Sequence, residues 1–168
     1  MKFSPCHIIV AAVTGLMPML PTSGEAAAVV ARARFSFDAL ANCEKPAVQD
    51  FPVHAEGTGT LSADRSATLD MDSNIEGRTR VNATLGAKPK ELPGGSASLR
   101  VAGKHTLRAT RDYPNNSIVV YMTVIGNSCA MRIENKLKPG KRQYTFYGKL
   151  GVAYCSRPRI VHAECTPY

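Results

Sequence analysis

The 168 residues carry 21 Lys and Arg against 13 Asp and Glu, a net charge of +8, which argues against a strongly basic partner because like charges slow encounter. The 5 cysteines include no Cys-x-x-Cys and no Cys-x-x-Cys-His, so zinc-ribbon and c-type haem spacings are missing. Gly-x-Ser-x-Gly, His-Glu-x-x-His and phosphate-cradling glycine loops are missing too, so no catalytic, cofactor or metal set stands out and the chain reads as non-enzymatic.

Lys2 gives a weakly positive start, Ile8 to Leu20 is an apolar run interrupted by Thr14, Gly15 and Pro18, and small residues follow from Thr22 to Ala28. A spanning helix needs about twenty apolar residues. This shorter, proline-bearing run is expected to be a secretory signal peptide, cleaved between Gly24 and Ala28. Residues 1–27 are then lost and residues 28–168 form a single domain, periplasmic or extracellular, with no transmembrane segment in the mature chain. Cys43, Cys129, Cys155 and Cys165 remain, an even number in an oxidising compartment, and predict two disulfides. Of the three possible pairings, Cys155–Cys165 fits a short terminal hairpin, which leaves Cys43–Cys129.

From Ala31 onward the dominant period is two. Gly57 and Gly59 lie on the apolar parity of their strand, where a core side chain would otherwise stand, and imply a bend, a bulge or a close backbone approach. Leu69, Met71 and Ile75 alternate against Thr68, Asp70, Asp72 and Asn74; Val81, Ala83 and Leu85 against Arg80, Asn82 and Thr84; Leu99 and Val101 against Ser98 and Arg100; Leu107 and Ala109 against Arg108 and Thr110. Such alternation marks half-buried strands. Asp70 and Asp72 lack the glycine-bearing loop and bidentate glutamate of a calcium site and read as a soluble outer face. Ala87 to Ser96 is expected to be a surface loop, and Ile118 to Ile125, apolar on both faces, to lie mid-sheet or to line an interior cavity that could hold an acyl chain. Pro139-Gly140 is a tight turn signal, expected to join Met131–Leu137 and Arg142–Gly148 as a hairpin. Turn signals every eight to twelve residues or so predict an all-β, antiparallel meander forming a curved sheet, barrel or sandwich.

His54, His105 and His162, the histidines after the leader, have no accompanying motif and read as ordinary surface or interior residues. Charge is uneven: residues 28–99 hold 8 basic and 9 acidic side chains, residues 100–168 hold 12 and 3. In the basic half, Arg100, Lys104, Arg108 and Arg111 precede the apolar strand, and Arg132, Lys136, Lys138, Lys141, Arg142 and Lys149 surround the Pro139-Gly140 turn as the candidate anion-binding set. Tyr144 and Phe146, at alternate positions, look like core packing rather than a base-stacking platform, so no specific nucleic acid is expected. The expectation is an exported binding protein for an anionic ligand or surface, such as a lipid headgroup, polysaccharide or polyanion. The alternative is a protein-interaction module of the cell envelope, an inhibitor or an assembly subunit. A hydrolase would need two of the histidines beside carboxylates in one cleft.

Overall fold

The computed structural model describes residues 28–45, 47–83, 88–148 and 151–168; the leader and Lys149 lie outside the described residues. Among these residues there are strands and turns but no helix, so none is long and apolar enough to cross a membrane. The protein is all-β and antiparallel throughout.

One sheet is built on a long hairpin, β1 (Val29–Lys45) and β2 (Ala47–Ser62), continued by β3 (Ala67–Ser73) and β4 (Thr79–Ala83). On the other side of β1 run two separate strands, β11 (Gly151–Cys155) at the Cys43 end and β12 (Arg159–Pro167) along Ala33–Leu40; β10 (Tyr144–Gly148) pairs with β11. The second sheet is the meander β5 (Lys90–Leu92), β6 (Gly95–Gly103), β7 (Thr106–Asp112), β8 (Asn116–Ile125), β9 (Ser128–Leu137). The sheets face each other, with β4 beside β6 and β12 beside β9, to make a sandwich.

The period-two pattern explains this arrangement. On β1, Ala33, Phe35, Phe37, Ala39, Ala41 and Cys43 are buried between the sheets, while Arg32, Arg34, Ser36 and Asp38 point the other way. Ile118, Val120 and Met122 supply the facing wall from β8. Gly57 and Gly59 are a close approach: a Cβ on Gly57 would run into the Asp70 backbone carbonyl and the Phe35 ring, and one on Gly59 into the Met122 side chain. Between the sheets lies an apolar cavity of about 90 Å³, lined by Phe35, Leu69, Leu107, Met122 and Phe146 among others. This is less than the ~150 Å³ apolar void that admits one benzene, so the space behind β8 is too small for an acyl chain.

Three expectations are corrected. First, the Pro139-Gly140 turn forms, with Gly140 at φ 74° and the Lys141 amide on the Lys138 carbonyl at 3.1 Å, but it does not close a hairpin. It carries the chain from one sheet to the other, because Tyr144, Thr145 and Phe146 are all buried and need cover on both faces, which the edge beside β9 does not offer. Fully buried Asn116 fixes the crossover: its Oδ1 accepts the Thr145 amide at 2.8 Å, and its Nδ2 donates to Asn135 Oδ1 at 3.1 Å. Second, the disulfides are Cys43–Cys155 and Cys129–Cys165. Cys155 stands opposite Cys43 in the β1–β11 register, whereas Cys165 is carried along β1, opposite Phe35, to the side of β9. Third, the stretch around Pro93 is not wholly a loop: Lys90–Leu92 pairs with Gly95–Ala97 around a turn in which Gly94 takes φ 71°.

Candidate anion-binding groove

The outer face of the second sheet concentrates the basic residues. Cross-strand register places Arg100 opposite Arg108, Arg108 opposite Tyr121, and Tyr121 opposite Arg132. With strands ~4.8 Å apart, the four side chains stand in one row about 14 Å long, perpendicular to the strands. The Tyr121 ring separates two guanidinium groups: Arg132 Cζ lies 4.4 Å from its centroid and Arg108 Cζ 6.0 Å. Like charges directly opposite on neighbouring strands disfavour folding. Among the described residues no carboxylate lies within 4 Å of the Arg100 or Arg108 guanidinium; Glu134 pairs with Arg132 at 3.3 Å and Lys136 at 2.6 Å and acts on Arg108 from farther off. The Lys136 ammonium, helped by Arg132 and Arg108, holds the Glu134 carboxyl below its ordinary value.

Two further rows cross the sheet beside the arginines. Ser98, Thr110, Val119 and Glu134 form the first, and Ser96, Asp112, Ser117 and Lys136 the second. Together with Pro89, Leu137, Lys138 and Pro139, all of these except Ser96 and Glu134 line a groove of about 440 Å³. Asp112 accepts the Ser117 hydroxyl, and the buried Thr110 Oγ1 has no hydrogen-bond partner among the described residues.

Of the residues singled out from sequence, Lys136 and Lys138 line the groove, and Arg132 stands over Tyr121 at its side. The Lys138 ammonium donates to the Tyr113 carbonyl, while Lys141 and Arg142 sit exposed on the crossover and outside the groove. Arg111 is no part of any basic surface. Its guanidinium meets Glu76 between the sheets, Nε 3.0 Å from both carboxylate oxygens, each side chain only 10% exposed. Its other donors reach the carbonyls of Pro93, Ser96 and Asp112, and the Tyr113 hydroxyl donates to Glu76 at 2.7 Å. Burial, then the Glu76 charge, pushes the Tyr113 hydroxyl pKa well up. With all three of its guanidinium nitrogens engaged, Arg111 fastens β7 and the β5–β6 turn to the first sheet.

On the opposite face of the molecule, β1 places Asp38 between His54 of β2 and His162 of β12. His54 Nδ1 is 2.7 Å from Asp38, His162 Nε2 is 3.4 Å from Glu164, and Ser36 Oγ donates to Glu164 at 3.1 Å. The serine thus bonds a carboxylate instead of an imidazole, and both histidines are about half exposed on a sheet face. Asp70 on the same face is held by Arg78 at 2.8 Å and Arg80 at 3.2 Å; the Arg78 hydrogen bond lowers its pKa. Among the described residues no group of three or more His, Cys, Asp or Glu is placed to hold a metal ion.

Fold and groove together describe a disulfide-bonded antiparallel sandwich with a cationic outer groove. Comparison with known proteins found no matching family model, no matching curated protein and no matching solved structure.

Proposed function

We propose that the protein is an exported, non-enzymatic binding protein that takes an anionic ligand in the groove on the outer face of β6–β9. The observation that carries this reading is the Arg100–Arg108–Tyr121–Arg132 row, whose first two cations have no carboxylate within ion-pair distance among the described residues. An anion relieves the repulsion within that row, and the open sheet face leaves it accessible. Two disulfides fit an oxidising compartment outside the cytoplasm, as the apolar N-terminal run also implies. The test is retention on a heparin column. The double variant Arg100→Glu/Arg108→Glu should elute at much lower salt than wild type, and Lys141→Glu/Arg142→Glu, with the same change in net charge, should elute close to wild type. Equal losses would assign retention to net charge and remove the groove from the account.

One observation favours a protein partner instead: Val152 and Tyr154 on β11, and Ile160 and Val161 on β12, are exposed apolar residues on two strands that pair with the same side of β1. A stoichiometric complex held by wild type and lost in Val152→Asp/Ile160→Asp, with the cationic row intact, would support that reading.

A further inference from the structure

We infer that the groove selects a short acidic oligosaccharide, its charged groups met from the two rims and its hydroxyls from the floor between them. This rests on the anion-binding reading above and narrows its ligand class.

Arg100 and Arg108 stand on one row, Lys136 stands two rows away, and Ser98, Thr110, Val119 and Glu134 occupy the row between, with Glu134 2.6 Å from Lys136. Each row is two residues, or ~7 Å, further along the strands, so the rims start about 14 Å apart at the backbone. A single phosphate or sulfate reaches one rim. A ligand with acidic groups at intervals along a neutral, hydroxylated scaffold reaches both.

Ser98 lines the groove between the two rims, and Ser117 and the carboxylate of Asp112 line it on the row of Lys136. A carboxylate there repels densely charged phosphates but accepts hydrogen bonds from hydroxyl groups. The groove volume of about 440 Å³ lies in the ~300–1,000 Å³ range of small-ligand sites, and Pro89 and Pro139 stand among its walls as rigid residues.

Other polyanions fit less well. Single-stranded nucleic acid wants a free aromatic face to stack on, and the Tyr121 ring is flanked by Arg108 and Arg132. A bilayer wants apolar side chains beside the cations, and the exposed large apolar residues Val29, Val30, Val152, Tyr154, Ile160, Val161 and Tyr168 belong to the other sheet and its end, with Ile125 at the far end of β8.

The experiment is calorimetric titration at physiological salt with short oligogalacturonates of increasing length, neutral maltooligosaccharides of equal length, oligothymidylate, and vesicles of phosphatidylglycerol in phosphatidylcholine. The oligogalacturonates should bind with affinity that stops rising once the groove is spanned, and the maltooligosaccharides should not bind. Ser98→Ala, which keeps the charge, should weaken oligogalacturonate binding about fivefold, one hydrogen bond's worth. Arg100→Glu/Arg108→Glu should abolish that binding and cut heparin retention. If oligothymidylate or vesicles bind through Arg100 and Arg108 while oligogalacturonates do not, the saccharide inference is overturned and the anion-binding reading stands. If no probe binds in a way that depends on those arginines, both fall.

Discussion

Arg111 and Glu76 bring opposite charges into the space between the sheets, and their pairing shows how single residues divide between fold and surface. Removing one partner of a buried, fully hydrogen-bonded pair leaves the other uncompensated, at a cost of about 3–5 kcal/mol. Arg111→Met should therefore lower the urea midpoint sharply, and a midpoint near wild type would contradict the fastening role. Thr110→Val should behave in the opposite way, with stability equal to or above wild type, since it removes a buried hydroxyl that has no partner. Glu134 gives a pH dependence. Its folded pKa is lowered chiefly by Lys136, so its ion pairs are in place at neutral pH and are lost as pH falls through that lowered value. Protonation frees Lys136 and Arg132, and affinity for a sulfated probe, charged throughout, should rise below the ordinary carboxylate range. Glu134→Gln should show raised affinity at neutral pH and no such rise. Arg111 was grouped with the basic residues although it shares the parity of Leu107 and Ala109, which face the core, and it is buried with them. Its partner was not legible, because Glu76 lies 35 residues earlier, in a turn, and only the facing of the sheets brings them together.

At the scale of elements, strand alternation gave the inward faces of β3, β6 and β7 directly, and Gly57 and Gly59 implied a bend, a bulge or a close backbone approach on β2, of which the last is found. Gly57→Ala should destabilise far more than Gly59→Ala, because the first collides with the backbone of β3 and the second with the flexible end of Met122. Comparable losses in a thermal melt would argue against that packing. Pairing between distant strands was not legible. A proline-glycine turn reports that the chain reverses, but not whether the next strand joins the same sheet; that choice depends on the need of Tyr144, Thr145 and Phe146 for cover and on the side chain of Asn116. The cysteine pairing failed for the same reason, since it depends on β12 lying along β1 and beside β9. In the chain-entropy view, losing Cys129–Cys165, 36 residues apart, should cost roughly 4 kcal/mol. Losing Cys43–Cys155, 112 apart, should cost roughly 5 kcal/mol. Mass spectrometry of unreduced peptides would establish the pairing, and denaturant melts of the Cys→Ala pairs the order.

For the whole molecule, the uneven charge along the chain becomes an uneven charge in space. Residues from 100 onward build most of the second sheet, so its outer face inherits their excess of cations, while the outer face of the first sheet carries Asp38, Glu56, Asp70 and Asp72 among its arginines and histidines. Composition made the first half of that statement visible. It could not place the cations, and the cluster around Pro139-Gly140 proved to be spread between a crossover and a sheet face. The most direct test is an NMR titration of the ¹⁵N-labelled mature protein with a heparin-derived oligosaccharide. The account predicts that amide shifts concentrate on the groove residues Ser98, Arg100, Arg108, Thr110, Tyr121 and Lys136. Shifts centred on Lys141 and Arg142, or on the His54–Asp38–His162 face, would contradict it.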